Sequence, residues 1–138
     1  MLSDLNSSLF GRIADGFTTC CCALFGSNGD LLIASAVHLS PYWHGNELET
    51  PAGLPLGVAA ETTHAQSHFR LEADDRLVFL SDGVVEARDK SGELYGFERV
   101  AIVSRAPADV IAIAARKFGK EDDITVLSVE FQPPPALT

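Results

Sequence analysis

The chain has 138 residues, 46% of them hydrophobic, with 19 acidic against 10 basic side chains and a formal net charge of −9. This length provides for one domain with one proper core, and the apolar share argues for a compact globule rather than disorder. The acidic balance disfavours nucleic acid and anionic membranes as partners, because both select Lys/Arg patches.

The opening "MLSDLNSSLFGRIADG" lacks the basic start and long apolar stretch of a signal peptide, and no apolar run reaches the about 18 residues of a membrane span. A cytoplasmic setting is expected. Leu2, Leu5, Leu9 and Ile13 recur at helical spacing, so a helix is predicted over 2–14 with Ser3 or Asp4 as its cap. Residues 17–25 form a β-rich run, "GSNGD" turns the chain, and "LLIASAVH" (31–38) answers it, which predicts an antiparallel hairpin across 17–38. Strand alternation puts Cys20 and Cys22 on one face and Cys21 on the other. Adjacent pairs then bridge poorly, and the three read as reduced thiols packed in a strand.

Residues 39–60 contain Pro41, Gly45, Pro51, Gly53, Pro55 and Gly57 and read as a long loop with turns. "THAQSHFRLE" (63–72) alternates like an exposed or edge strand, with His64 and His68 of one parity. "DDRLVFLSDG" supplies a turn, a buried strand over 76–81 and another turn. "GFERVAIVSR" and "PADVIAIAARKFG" read as two short helices, with Pro107 in a first turn and Gly119 as a C-cap. Residues 123–131 make the last strand, and "QPPPALT" (132–138) is a flexible tail that cannot continue it. The whole reads as a single domain over 1–131.

Two strand ends hold the informative chemistry. Asp82 closes one apolar run and precedes Gly83, while Glu121, Asp122 and Asp123 crowd three carboxylates at the mouth of the last strand. A carboxylate at the end of a buried strand is held rigidly, and Gly83 allows a sharp turn beside it. If the two ends converge, Asp82 and Asp122 suit a hard divalent cation, Mg²⁺ or Mn²⁺, which takes oxygen ligands and keeps several waters. Ordinary solvated turns are the other reading of the same residues. His38, His44, His64 and His68 have no cysteine or carboxylate partner at ligand spacing, and no Cys-x-Arg loop or Gly-x-Ser-x-Gly elbow offers a nucleophile.

Taken in order, "LPLG" (54–57), "RLEADDRLVFLSDGVVEARDKSGELYGFERV" (70–100) and "KEDDITVLSVEF" (120–131) resemble the PPM-type metal-dependent protein phosphatases. More narrowly, they resemble the bacterial branch typified by the stage II sporulation protein E phosphatase domain. "ASAVHLSP" (34–41) resembles that branch's Asn-Ala-Gly-His-x-Pro segment, with Ser35 in place of the asparagine and Val37 in place of the glycine. The resemblance implies an α/β (α+β) fold, a partial β-sandwich of two stacked sheets flanked by helices. It also implies two Mn²⁺ or Mg²⁺ ions that activate a water against phosphoserine or phosphothreonine, commonly on a phosphoprotein such as an anti-anti-sigma-type regulator.

Asp82 and Asp122 match the family's two C-terminal metal-binding aspartates, and Gly83, Asp123 and His38 are expected around them. The family also has a Gly-Asp-x-x-Asp segment ahead of its first helix, which supplies an aspartate bridging both metals. Here Asp4 reads as a helix cap and Asp15 as a helix end, so neither replaces it. The chain is thus expected to resemble the C-terminal part of such a domain, and three outcomes are implied: a phosphatase domain that binds metal weakly, a catalytically incomplete binding or regulatory module, or a domain fragment whose upstream segment was removed. A sandwich short of its first strands also exposes apolar sheet, so self-association is expected.

Overall fold

The computed structural model describes residues 2–12, 16–51, 53–119 and 122–135. Helices combine with antiparallel sheets in the α+β class expected, and the chain forms two compact units. One comprises Met1–Ser40, Glu49–Ala73 and Pro133–Thr138, the other Pro41–Leu48 and Asp74–Gln132. No helix among the described residues is long and apolar enough to cross a membrane.

The first unit is built on the predicted hairpin. β1 (Cys20–Phe25) pairs antiparallel with β2 (Asp30–Ala36). The turn between them is closed by the Gly26 amide on the Asp30 carbonyl (2.7 Å) and by Asn28 Oδ1 accepting the Asp30 amide (3.0 Å). A later strand, residues Gln66–Arg70, pairs with the far side of β2 and alternates between exposed and half-buried positions, as an edge strand does. Cys20 and Cys22 pack with Leu9 against a cluster of Leu2, Ala34, Ala36 and Leu56. Burial pushes the Cys21 thiol up to about 11, and Cys20 is raised for the same reason, so these cysteines stay protonated and pack as small apolar groups.

The first helix is shorter than its periodicity suggests. α1 covers Leu2–Leu9, and Ser3 and Asp4 lie inside its first turn instead of capping it. Leu5 is 42% exposed, whereas Asn6 is buried. The Asn6 amide is the reason: its Oδ1 accepts the Gly57 amide (2.9 Å) and its Nδ2 donates to the Ala59 carbonyl (3.0 Å). A loop running over a helix must have its backbone groups satisfied, and one side-chain amide supplies both a donor and an acceptor. The "LPLG" segment is thereby tied to α1, with Leu56 also exchanging two backbone bonds with Thr18. Ile13 and Asp15 lie outside the described residues.

The second unit contains a hairpin that residues 39–60 concealed. β3 (Tyr42–Trp43) and β4 (Asn46–Glu47) flank His44 and Gly45, whose φ values of 54° and 77° are the left-handed pair a two-residue turn requires. With the edge strand of the first unit counted as β5 (Gln66–Arg70), β6 is Arg76–Leu80 and β7 is Val126–Glu130. The sheet order is β4-β3-β6-β7. Leu77 and Val78, adjacent on β6, are both buried, so this strand is covered on two faces as its unbroken apolar run predicts. α2 (Asp82–Val85), α3 (Gly96–Val103) and α4 (Ala108–Gly119) follow, with α4 packed along β7.

Smaller expectations shift by a residue or two. Pro107 precedes α4, and its carbonyl accepts the Ile111 amide (3.1 Å), which makes it a capping position. His64 lies ahead of β5 with its Nε2 against the Leu54 carbonyl (2.7 Å), so it does not share a strand face with His68, which stands 3.4 Å from Asp30. Gln132, placed by the sequence in the tail, donates to Asp74 Oδ1 (3.1 Å); residues 136–138 of that tail lie outside the described residues.

Val37 has φ of 54°, a conformation that crowds any β-branched side chain, and the residue is 55% exposed. Glycine occupies the corresponding place in the family segment that residues 34–41 resemble. The Val37→Gly variant should therefore be more stable by about 1 kcal/mol, a rise of roughly 3 °C in melting temperature by scanning calorimetry. An unchanged or lower melting temperature would show that the valine is not strained.

Candidate functional site

The site is assembled where β6 ends and β7 begins. Their ladder runs from Arg76 opposite Glu130 to Leu80 opposite Val126. It continues one step further, through the Ser81 amide on the Thr125 carbonyl (3.0 Å). The return bond is made by a side chain: the Thr125 amide donates to Ser81 Oγ (2.8 Å), and Ser81 Oγ lies 3.4 Å from the Asp123 carbonyl. Ser81 is the residue before α2 and is extended there (φ −83°, ψ 161°), yet it makes no side-chain cap bond to the helix. Its hydroxyl is used across the strands instead, stitching the two chain ends together.

Immediately beyond Ser81 the two acidic turns abut. A Cβ built on Gly83 would stand 2.1 Å from the Asp123 carbonyl oxygen and 3.4 Å from that of Asp122. Gly83 is needed there because nothing larger than hydrogen fits, not because its φ is unusual, which corrects the expectation of a sharp glycine turn. The single helical turn of α2 is anchored by buried Val84 and Val85, and the Glu86 amide closes it on the Asp82 carbonyl (2.9 Å). Asp82, Asp122 and Asp123 are all exposed, and Asp122 Oδ1 accepts the Asp123 amide (2.7 Å).

The segment after α2 is fastened to the same place. The Arg88 amide donates to the Gly119 carbonyl (2.8 Å) at the end of α4. A Cβ on Gly119 would meet the Arg88 carbonyl at 1.7 Å. Arg88 also pairs with Leu94 across a small loop. Asp89 Oδ1 organises that loop by accepting the Ser91 amide (2.9 Å), the Ser91 hydroxyl (2.6 Å) and the Glu93 amide (3.0 Å). These donors, the Ser91 hydroxyl first, hold the Asp89 carboxyl below its usual range. Glu86, Arg88, Leu94 and Asp122 line a cleft of about 440 Å³.

The sequence-predicted residues thus divide. Asp82, Gly83, Asp122 and Asp123 belong to the second unit and to one pair of abutting turns. His38 belongs to the first unit, with its amide on Ser35 Oγ (3.3 Å) and its Nδ1 3.0 Å from the Leu39 carbonyl. Glu121 lies outside the described residues, and Asp4 sits in the first turn of α1. Sequence reasoning missed Ser81 and Arg88, whose roles depend on cross-strand partners that spacing alone does not reveal. Carboxylate oxygens at such turns are the donor type for Mg²⁺ or Mn²⁺, although among the described residues no group of three or more His, Cys, Asp or Glu side chains is placed to hold a metal ion.

Residues 1–132 match the family model of stage II sporulation protein E (SpoIIE). Among solved structures, the RsbU and RsbW domains of a Mycobacterium tuberculosis protein align with TM-score 0.68 at 20% identity, over 91% of this chain and 39% of that one. The phosphatase domain of the Bacillus subtilis cell-fate determinant SpoIIE aligns with TM-score 0.63 at 19% identity, over 97% of this chain and 67% of that one. Its manganese-presoaked form gives 0.63 at 21% identity, over 96% and 65%. The chain therefore spans 39% of the first of these and about two thirds of the others; at these identities the likeness is one of fold. No curated protein matches.

The contact at Gly83 gives a direct test. Gly83→Ala forces backbone against backbone and should cost about 3 kcal/mol in urea unfolding, whereas Gly92→Ala, with nothing within 4 Å of the added Cβ, should cost only the about 1 kcal/mol of its left-handed φ. Equal losses would mean that the two acidic turns do not touch.

Proposed function

The chain belongs to the stage II sporulation protein E family, and from that premise we propose that it forms part of a metal-dependent serine/threonine protein phosphatase domain of bacterial regulatory type. Its substrate would be a phosphoprotein of the anti-anti-sigma kind, met in the cytoplasm. One observation carries the reading: Asp82-Gly83 and Asp122-Asp123, 40 residues apart in sequence, abut at one end of the β6–β7 pair. Asp82 and Asp122 then offer two carboxylates to one Mn²⁺ or Mg²⁺, and waters complete the shell. A cation held there lowers the pKa of a bound water and offsets charge on phosphoryl oxygens. The chain's own part is to fix the two turns through Ser81, Gly83 and the β6–β7 ladder, so that both acids are presented in a set geometry.

A second reading stands beside it. In it the same fold, carrying only the Asp82 and Asp122 pair of the family's ligands, serves as a phosphatase-like binding or regulatory module. Hydrolysis of p-nitrophenyl phosphate with Mn²⁺ decides between them. The phosphatase reading expects weak, Mn²⁺-dependent turnover, close to background, that Asp82→Asn abolishes. Turnover indifferent to Asp82→Asn would reject the site, and no Mn²⁺-dependent turnover in the unaltered chain would favour the module.

Self-association belongs to the same proposal. β1 and β5 flank one sheet, β4 and β7 the other, and Leu24 and Leu127 on two of these flanking strands are each 56% exposed. Unpaired strand edges with apolar side chains favour pairing with a second chain. Light scattering at micromolar concentration should report dimers or larger species; a clean monomer would count against it.

A further inference from the structure

We propose that the second unit carries a separate binding site for a zwitterionic small molecule of the α-amino-acid type, at the end of the β6–β7 ladder away from the acidic turns. The ladder closes there with Arg76 opposite Glu130, whereas Leu80 and Val126 mark its other end, beside Asp82 and Asp122. A cleft of about 410 Å³ opens at this place, lined by His44, Asp74, Arg76, Ser104, Arg105 and Glu130. Its size falls in the range of roughly 300–1,000 Å³ usual for small ligands. Two guanidinium groups and two carboxylates line it, so a neutral ligand with one group of each sign suits it better than a plain anion or cation.

These charges are sorted by sign instead of paired. Arg76 and Glu130 are cross-strand neighbours of opposite charge, an arrangement that ordinarily brings two such side chains together. Here each has another partner: the Arg76 guanidinium donates to the Arg105 carbonyl just past the end of α3, and Glu130 Oε1 accepts from Gln132 Nε2. The same Gln132 nitrogen donates to Asp74 Oδ1 (3.1 Å), which gathers the two carboxylates around one donor. Arg105 in turn donates to the His44 carbonyl (2.8 Å) and lies over Gly45, where an added Cβ would stand 2.5 Å from its Nε. The His44 ring is engaged by Asp75, with its Nε2 2.9 Å from that carboxylate. Among the described residues neither Arg76 nor Arg105 forms an ion pair, and each uses a single guanidinium donor on a carbonyl. A carboxylate placed between the two arginines meets forks of N–H groups already held by backbone partners. An ammonium on the neighbouring carbon meets the second oxygens of Asp74 and Glu130, which Gln132 leaves open.

The test is calorimetric titration of the full chain, without metal, against L-alanine, L-leucine, L-glutamate and L-lysine. At least one of them should bind. The N-acetyl and amide derivatives of the tightest binder lack the ammonium and the carboxylate respectively, and each should bind about tenfold or more weaker. Arg105→Ala should weaken the amino acid about tenfold or more, and Arg105→Lys should recover only part of it, because an ammonium lacks the fork. Asp74→Asn keeps a residue that tolerates the left-handed φ of 68°; it should weaken the amino acid but not its N-acetyl derivative. Arg116→Ala removes a charge from an exposed position on α4 and should leave binding within about twofold. Binding by none of these amino acids overturns the inference, as does equal binding of the N-acetyl derivative or of inorganic phosphate, which would make the cleft an anion site only. Equal losses in Arg105→Ala and Arg116→Ala overturn it too. If Arg105→Ala does not fold, the comparison of derivatives still decides, since it needs only the unaltered chain. Neither Asp82 nor Asp122 takes part, so this outcome and that of the phosphatase reading are independent.

Discussion

The second unit depends on a space too small for a methyl group. Where Gly83 meets the Asp123 carbonyl, two turns from opposite ends of the chain's last two paired strands are pressed together, and the hydrogen on Gly83 is all that separates them. The β6–β7 ladder sets the direction of approach, and Ser81 extends it past the point where backbone pairing ends. Everything downstream inherits that alignment: α2 starts from it, Glu86 closes on Asp82, and α4 returns the chain to it through Gly119. A second glycine–carbonyl contact, Gly119 against Arg88, repeats the same device on the other side of the cleft. Both are backbone-to-backbone contacts, which no side-chain repacking can relieve.

Polar side chains do the corresponding work where backbone pairing runs out. In the first unit, Asn6 reaches from α1 to the loop after Leu56 and satisfies Gly57 and Ala59; in the second, Ser81 satisfies Thr125. Each satisfies backbone groups with a side chain that is short, so its reach is definite. This is the cost-free half of burying a polar group: Asn6 is among the most deeply buried residues of its unit, and both ends of its amide are used.

How far the sequence was legible follows from what kind of information each element carries. The hairpin of β1 and β2, the edge strand β5, the buried strand β6 and the helices α3 and α4 are all written in local periodicity and turn residues, and each appears within a few residues of its predicted place. The β3–β4 hairpin was hidden because its strands are two residues long and its turn is His44-Gly45, not the Asn-Gly that announces such turns. Leu5 and Asn6 exchange roles for a tertiary reason: the loop over α1 needed an amide more than the core needed a leucine. At the site, the acids and Gly83 were visible as residue types in suggestive places, but their contact is a property of strand register. Ser81 and Arg88 could not be singled out at all, since a serine before an aspartate and an arginine in a turn are common.

The electrostatics of the acidic turns follow from how they are held. Asp82, Asp122 and Asp123 remain in contact with solvent, where water screens like charges to about 1 kcal/mol at 4 Å. The forces that bring the turns together are neutral ones, namely the ladder, the Ser81 hydroxyl, the glycine contact and the burial of Val84 and Val85. A small zinc domain is the opposite case, because there the metal supplies the folding energy and its removal unfolds the chain. In this unit the fold supplies the geometry of the turns and carries the carboxylates on them as exposed groups. Charge can therefore be crowded at the mouth of a buried strand without the strand depending on what neutralises it.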